Sequence, residues 1–267
     1  MFVTSDYKKK LNTQWLGSEF RYLEQTESTN SLLKSVPAEE LAHGTVLLAD
    51  RQLKGRGQYN RNWLSEPFKN LTFTIALKPA RSDTLSLLAL AAGWGIVRAL
   101  QTVYGNRFYL KWPNDVMISG KKLGGILVES VFNGSSLDRV LVGIGLNTGQ
   151  MNFPKELPHA TSLAHEFGDP PAREEILCRI LEYIEVAYRK WQRSDAQLIH
   201  DINDSMAGFG DWVRITVNGE ASPEKVKFLG VNPEGHLVIL TPEIEVKKFI
   251  HEQIRIFPDH PPGGKLP

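Results

Sequence analysis

Apolar residues recur along this chain at two spacings, every second position or every third and fourth, and the changes between them mark out its elements. Residues 45–50 form an apolar run that ends in a polar, glycine-containing stretch from 51 to 63, which predicts a strand followed by a loop. Residues 71–77 alternate apolar with small or polar side chains and predict a second strand, and the Ala- and Leu-rich run 85–104 predicts a buried helix. Residues 109–112, 122–132 and 139–146 predict three further strands, the last two closed into a hairpin through Asn133-Gly134. From 174 to 191, apolar residues at Leu177, Ile180, Leu181, Ile184, Tyr188 and Trp191 share one face of a predicted amphipathic helix. Ser28-Thr29-Asn30-Ser31 stands before Leu32, Leu33 and Val36 as an N-cap cluster, opening a short helix that stops before Pro37.

Beyond Gly208-Phe209-Gly210-Asp211, a plausible linker, the apolar runs shorten to 212–217, 225–231, 236–240 and 245–250. Turns at Asn218-Gly219 and Pro233-Glu234-Gly235 separate them, which predicts a small β-barrel of about fifty residues. Residues 1–207 then form the main domain, 208–257 the barrel, and the Pro- and Gly-rich segment 258–267 a loose tail.

Composition narrows the possibilities. At 267 residues and 42% hydrophobic, the chain builds a sizeable core, and 31 basic against 30 acidic residues leave no global field for nucleic acid. Cys178 is the only cysteine, which excludes a disulfide framework and a Cys-based zinc cluster and fits a reducing compartment; on the long helix beside its apolar stripe it reads as packing. Met1 to Lys10 has no apolar signal-like region, and no segment approaches eighteen uninterrupted apolar residues, so a soluble cytoplasmic protein is expected, with Lys8-Lys9-Lys10 a solvated terminus.

Several chemistries are excluded by pattern. No Gly-Lys-Ser/Thr follows a glycine loop, there is no His-Glu-x-x-His, and no Gly-x-Ser-x-Gly elbow. Gly143-Ile144-Gly145 follows a strand, but Asn152, Pro154 and Pro158 come where a dinucleotide fold needs a helix. Catalysis must rest on lysines, arginines, carboxylates and backbone. Two stretches offer them. Lys111-Trp112-Pro113-Asn114-Asp115 is followed by Lys121-Lys122-Leu123-Gly124-Gly125-Ile126-Leu127-Val128-Glu129, two lysine-bearing pieces around a tight turn and a Gly-Gly pair that lets a ligand approach backbone. Upstream, Arg56 sits between Gly55 and Gly57, an arrangement for bidentate binding of phosphate or carboxylate, with a solvated surface loop as the alternative.

These pieces, in order, resemble the biotin protein ligases from about Glu27 to Leu163: Glu27-Ser28-Thr29-Asn30, the Gly55-Arg56-Gly57 loop ending in Trp63, Lys111 to Asp115, Lys122 to Glu129, and Gly143-Ile144-Gly145-Leu146-Asn147. The resemblance implies an α+β fold, a mixed or antiparallel sheet with packed helices like the class II aminoacyl-tRNA synthetases, followed by an SH3-like barrel. It implies a two-step reaction, in which biotin and ATP with Mg²⁺ give biotinyl-AMP and a lysine of a biotin carboxyl carrier protein then attacks it. By the same resemblance Lys122, Arg56, Lys111 and Asp115 are catalytic. Ser28, Thr29, Asn30, Gln52, Gly55, Arg56, Gly57, Gln58, Lys122, Gly125 and Gly143 surround biotin. Arg56, Arg61, Trp63, Lys111, Asn114, Lys122 and Asn147 hold the adenylate, with Trp63 stacked on adenine, and Asp115 orients Mg²⁺ or Lys122. Ser28 or Thr29 as a helix cap, and Trp63 as a core aromatic, are the competing structural readings.

The loop departs from the family's commonest Gly-Arg-Gly-Arg-Arg-Gly-Arg, becoming Gly55-Arg56-Gly57-Gln58-Tyr59-Asn60-Arg61. Gln58 removes a fixed charge and Asn60 a glycine, so adenylation through Arg56 is expected with a weaker hold on biotinyl-AMP. Many bacterial members carry an N-terminal winged helix-turn-helix and repress biotin genes; the short stretch before Glu27 leads us to expect no DNA binding. Lipoate ligases share the fold, but their Arg-Arg-x-x-Gly-Gly-Gly-x-Val-x-His-Asp pattern is missing, and a non-catalytic binding module is the alternative of a different class. Monomer and homodimer both remain open.

Overall fold

The computed structural model describes residues 1–169, 172–250, 254–259 and 261–262. It opens with helix α1 (Thr4–Lys10), which the three lysines concealed: its inner side is Tyr7, fully buried, stacked 4.0 Å from Phe20 and donating its hydroxyl to Gly17 O at 2.8 Å. Strand β1 (Phe20–Thr26) follows, then α2 (Thr29–Ser35), whose first turn is capped by Ser28 Oγ accepting from Ser31 N. Next come β2 (Thr45–Gln52), β3 (Leu71–Leu77) and α3 (Leu85–Tyr104). The strand expected at 109–112 is β4 (Phe108–Lys111), and a further strand, β5 (Asp115–Ile118), pairs with it across a turn that holds a cis Trp112–Pro113 bond. The hairpin β6 (Lys121–Asn133) and β7 (Ser136–Leu146) is as predicted, followed by α4 (Leu163–Phe167), α5 (Arg173–Gln192) and α6 (Ala196–Asp204).

The seven strands lie in the order β1-β2-β3-β7-β6-β5-β4, parallel between β1 and β2 and antiparallel elsewhere, so the sheet is mixed. Helix α3 packs on it and against α5. A Cβ on Gly95 would stand 3.0 Å from Ile184 Cα, so the two helices approach as closely as a glycine permits. By length and composition α3 would span a membrane, at a mean hydropathy of 1.3, but 67% of that stretch is buried here as the central core helix. Cys178 on α5 is buried, and burial pushes its thiol up to about 12, which leaves it an inert packing group. Glu185 on the same helix has a side chain 3% exposed and accepts from the backbone N–H groups of Gln14, Trp15 and Leu16, tying the N-terminal segment down.

A second, curled antiparallel sheet follows: β8 (Trp212–Val217), β9 (Glu220–Ala221), β10 (Val226–Val231), β11 (Leu237–Leu240), β12 (Val246–Phe249) and β13 (Ile254–Phe257). Its order is β12-β11-β10-β8-β13, with β9 beside β8 through the left-handed Asn218-Gly219 turn. The predicted linker is tightly bonded: Gly210 N donates to Phe228 O and Ala207 N to Leu110 O, both at 2.8 Å. Asn203 on α6 pairs with Val231 as a neighbouring strand would, giving to its carbonyl at 3.2 Å and accepting from its N–H at 2.8 Å. One apolar cluster runs from Phe2 through both sheets to Ile256. The start of the predicted loose tail is also held, since Asp259 pairs with Arg214 and Lys225; 260 and 263–267 lie outside the described residues.

Candidate functional site

The site grows from glycines in the β6–β7 ladder. Gly125 pairs with Gly145, and Gly143 lies opposite Leu127. A Cβ on Gly145 would fall 2.2 Å from the Trp63 ring, and one on Gly143 would fall 2.4 Å from Asn30 Oδ1, so each bare backbone is a seat for one incoming side chain. Asn30 fills the space directly above Gly143, which still lines the cavity.

Asn30 stands within an unbroken polar chain. Thr29 approaches Gln52 Oε1 through its backbone N at 2.7 Å and its hydroxyl at 3.0 Å. Thr74 Oγ1 lies 2.7 Å from Thr29 Oγ1 and 2.5 Å from Asn30 Oδ1, and Asn30 Nδ2 donates to Glu129 Oε2 at 2.6 Å. Arg56 Nη2 ends the chain on the same carboxylate oxygen at 3.0 Å. Ser28 caps α2, so its structural reading holds, and it also lines the cavity. The foot of the loop is fixed by Asp50, buried and accepting from Arg173 and from Tyr22, whose hydroxyl burial and that carboxylate push up to about 12.

From that foot the loop folds on itself. Trp63 N donates to Gly55 O at 2.9 Å, Gly57 N to Arg61 O at 2.7 Å, and Arg56 bridges Asn62. A Cβ on Gly55 would meet Trp63 O at 2.6 Å, whereas one on Gly57 finds only ordinary contact. Tyr59 at the tip is left-handed, φ 56° and ψ 39°, a conformation that costs a large side chain about 1 kcal/mol or more.

The cationic end is built on β5 and β6. Lys122 Nζ meets Asp115 Oδ1 at 2.5 Å and stands 6.0 Å from the Trp63 ring centre. Its backbone is clamped by a segment that carries no motif: Lys122 N donates to His159 O at 2.7 Å and Thr161 N to Lys122 O at 2.9 Å. Asn147 Nδ2 bonds Thr161 O at 3.0 Å, and Asn114 Nδ2 braces the strand at Ile126 O, 2.7 Å away. Among the described residues Trp63 Nε1 and Asn147 Oδ1 are buried with no hydrogen-bond partner, a cost of about 1–3 kcal/mol each that a polar ligand would relieve.

The glycine ladder, the loop and the cationic end meet in a cavity of about 510 Å³. Every site residue drawn from the sequence lines it except Gly55, which faces a second groove on the outer side of the loop, beside the Lys54–Glu27 pair. The sequence reading missed Thr74 and Glu129 in the polar chain, Phe153, Leu157 and Ala160 from the segment after β7, and Arg255, Ile256 and Phe257 from β13. Of these only Glu129 had a signal, as the end of the Lys122 to Glu129 string. Among the described residues no group of three His, Cys, Asp or Glu side chains is placed to hold a metal.

Residues 22–147 match the Biotin/lipoate A/B protein ligase family. The bifunctional ligase/repressor BirA of Bacillus subtilis is 31% identical over 261 residues, 94% of this chain and 78% of the relative. The biotin–[acetyl-CoA-carboxylase] ligase of Mycobacterium tuberculosis is 33% identical over 213 residues, covering 76% of this chain and 77% of its own. Among solved structures, the biotin protein ligase from Aquifex aeolicus in complex with biotin and ATP superposes at a TM-score of 0.79 and 32% identity, over 90% of this chain and all of that one.

Proposed function

Since the chain belongs to the Biotin/lipoate A/B protein ligase family, we propose that it is an ATP-dependent biotin protein ligase acting on a biotin carboxyl carrier protein. The observation that carries this reading is the make-up of the cavity, in which a hydrogen-bonding chain at Thr29, Asn30 and Gln52, closed by Arg56 on Glu129, shares a wall with Lys111 and Lys122. A neutral urea-like head, with donors and a carbonyl acceptor, matches the end at Thr29, Asn30 and Gln52. A carboxylate and a triphosphate need the cations.

In the first step the biotin carboxylate attacks the α-phosphorus of ATP and pyrophosphate leaves. Negative charge gathers on the phosphoryl oxygens, where Lys122 and Arg56 supply fixed positive charge and Lys111 a third. Asp115 holds Lys122 in place, and Trp63 over Gly145 closes the cavity floor beside the adenylate and excludes water. In the second step the carrier lysine, as a free amine, attacks the activated carbonyl and AMP departs, the lysine proton passing to Asp115. Mg²⁺ would offset phosphate charge; Asp115 gives it at most one protein carboxylate, which suits an ion carried mainly by phosphates and water. We further propose that residues 1–207 form the catalytic unit and 208–257 a supporting barrel. The reading includes no DNA binding, in keeping with the balanced charge.

The test is biotin-dependent pyrophosphate release with ATP and Mg²⁺, with and without an apo carrier domain. Labelled carrier supports the reading; pyrophosphate with lipoate and not biotin replaces it, and silence with both removes it. Lys122→Ala is expected to lower the adenylation rate about a hundred- to a thousandfold at unchanged stability.

A further inference from the structure

The loop from Gly55 to Trp63 is tied at three points. Arg56 at its root pairs with Glu129 at 3.0 Å, Trp63 at its end lies on Gly145, and Tyr59 at its tip sets its ring 4.4 Å from Arg255 Cζ. The third tie crosses from the loop to the small sheet. Tyr59 is left-handed, a state that a large side chain keeps only where outside contacts impose it. Arg255 is equally constrained: β13 pairs it with Thr216 on β8, and its Nη1 donates to Ile254 O at 2.7 Å. Arg255 lines the same cavity as Gln58 and Arg61.

We propose that Tyr59 is a positioning residue, latching the loop to β13 before any substrate binds and thereby slowing escape of the activated acid. The retention half rests on the ligase reading above, and the closure half does not. The latch reverses the expectation drawn from sequence, where the altered loop pointed to a weaker hold.

The two halves are read separately. Without substrates, trypsin cleavage after Arg56 and Arg61 reports loop opening. A cation–π contact at a half-exposed site corresponds to a factor of about 2–5, so Tyr59→Ala and Arg255→Met are each cut about 2–5 times faster than wild type. Tyr59→Phe, which keeps the ring, is cut more slowly than Tyr59→Ala, and the double variant is accelerated by less than the product of the two single effects. With biotin, ATP and Mg²⁺ but no acceptor protein, continued pyrophosphate release reports escape of the adenylate. It rises by a similar factor in Tyr59→Ala and by less in Tyr59→Phe. Equal cleavage of wild type and Tyr59→Ala, or additive effects in the double variant, overturns the latch. Faster cleavage with unchanged escape overturns the retention half. No pyrophosphate from wild type overturns the ligase reading, while the substrate-free cleavage still decides closure.

Discussion

A single missing carbon atom at Gly145 gives Trp63 its place, and this sets a sharp difference between two glycines that look alike in sequence. Gly145→Ala puts a methyl group inside the indole, so Trp63 and the loop behind it must move; adenylation should fall at least about tenfold more than in Gly57→Ala, where the added carbon has room. Steady-state pyrophosphate release of the two variants checks this. Lys122, Arg56 and Asn147 were legible because each stands in a short, ordered string. Thr74 and Arg255 were not, because what matters about them is contact at long range. Thr74 meets Asn30 across 44 positions and Asn30 meets Glu129 across 99, and nothing in the local spacing announces either.

Among the elements, those that bury a regular apolar face were legible: 71–77 and 85–104 coincide with β3 and α3. Those that escaped are held by their neighbours. Strand β1 has no clean alternation, being parallel to β2 at the sheet edge, and β5 is four residues long and exists by pairing with β4 and β6. The turn before β2 carries a pH signature. His43 stacks 4.4 Å from Trp15 and accepts from Lys78 N through Nδ1 at 2.9 Å, and burial first, then the Lys78 charge, lowers its pKa below 6.5. The unfolded chain therefore takes up the proton first as pH falls. The stability is fully present above the unfolded value of 6.5 and declines from there through the folded pKa, by up to about 1.4 kcal/mol per pH unit. Urea denaturation across pH 5 to 7 should show that slope, and His43→Gln should flatten it.

At the scale of the whole molecule the two sheets share one apolar cluster and the Asn203–Val231 pair, so they should unfold together. Asn203→Ala strands a buried N–H and a buried carbonyl and is expected to cost about 1–3 kcal/mol, with the small-sheet Trp212 and the far-ultraviolet signal still losing structure at one shared midpoint. Two midpoints would mean that the predicted boundary at 208 is an energetic one as well. Sequence pattern proposes that boundary from the change in strand length; the bonds across it involve side chains whose partners only the folded chain brings near.

The polar chain from Gln52 to Glu129 also determines what the protein refuses. Thr74 gives its one proton to Asn30 Oδ1, which can only accept, and Thr29 has one proton for two claimants, Gln52 and Thr74. A guest with its own donors and acceptor can enter this arrangement by exchange, bond for bond. An acid ending in a hydrocarbon or dithiolane ring offers nothing in return, and each bond it opens stays open in a place water does not reach. Sites of that kind reject the poorer partner by about 10⁴–10⁵, so lipoate and octanoate should trail biotin by at least about a thousandfold in kcat/KM for pyrophosphate release, without any clash to keep them out.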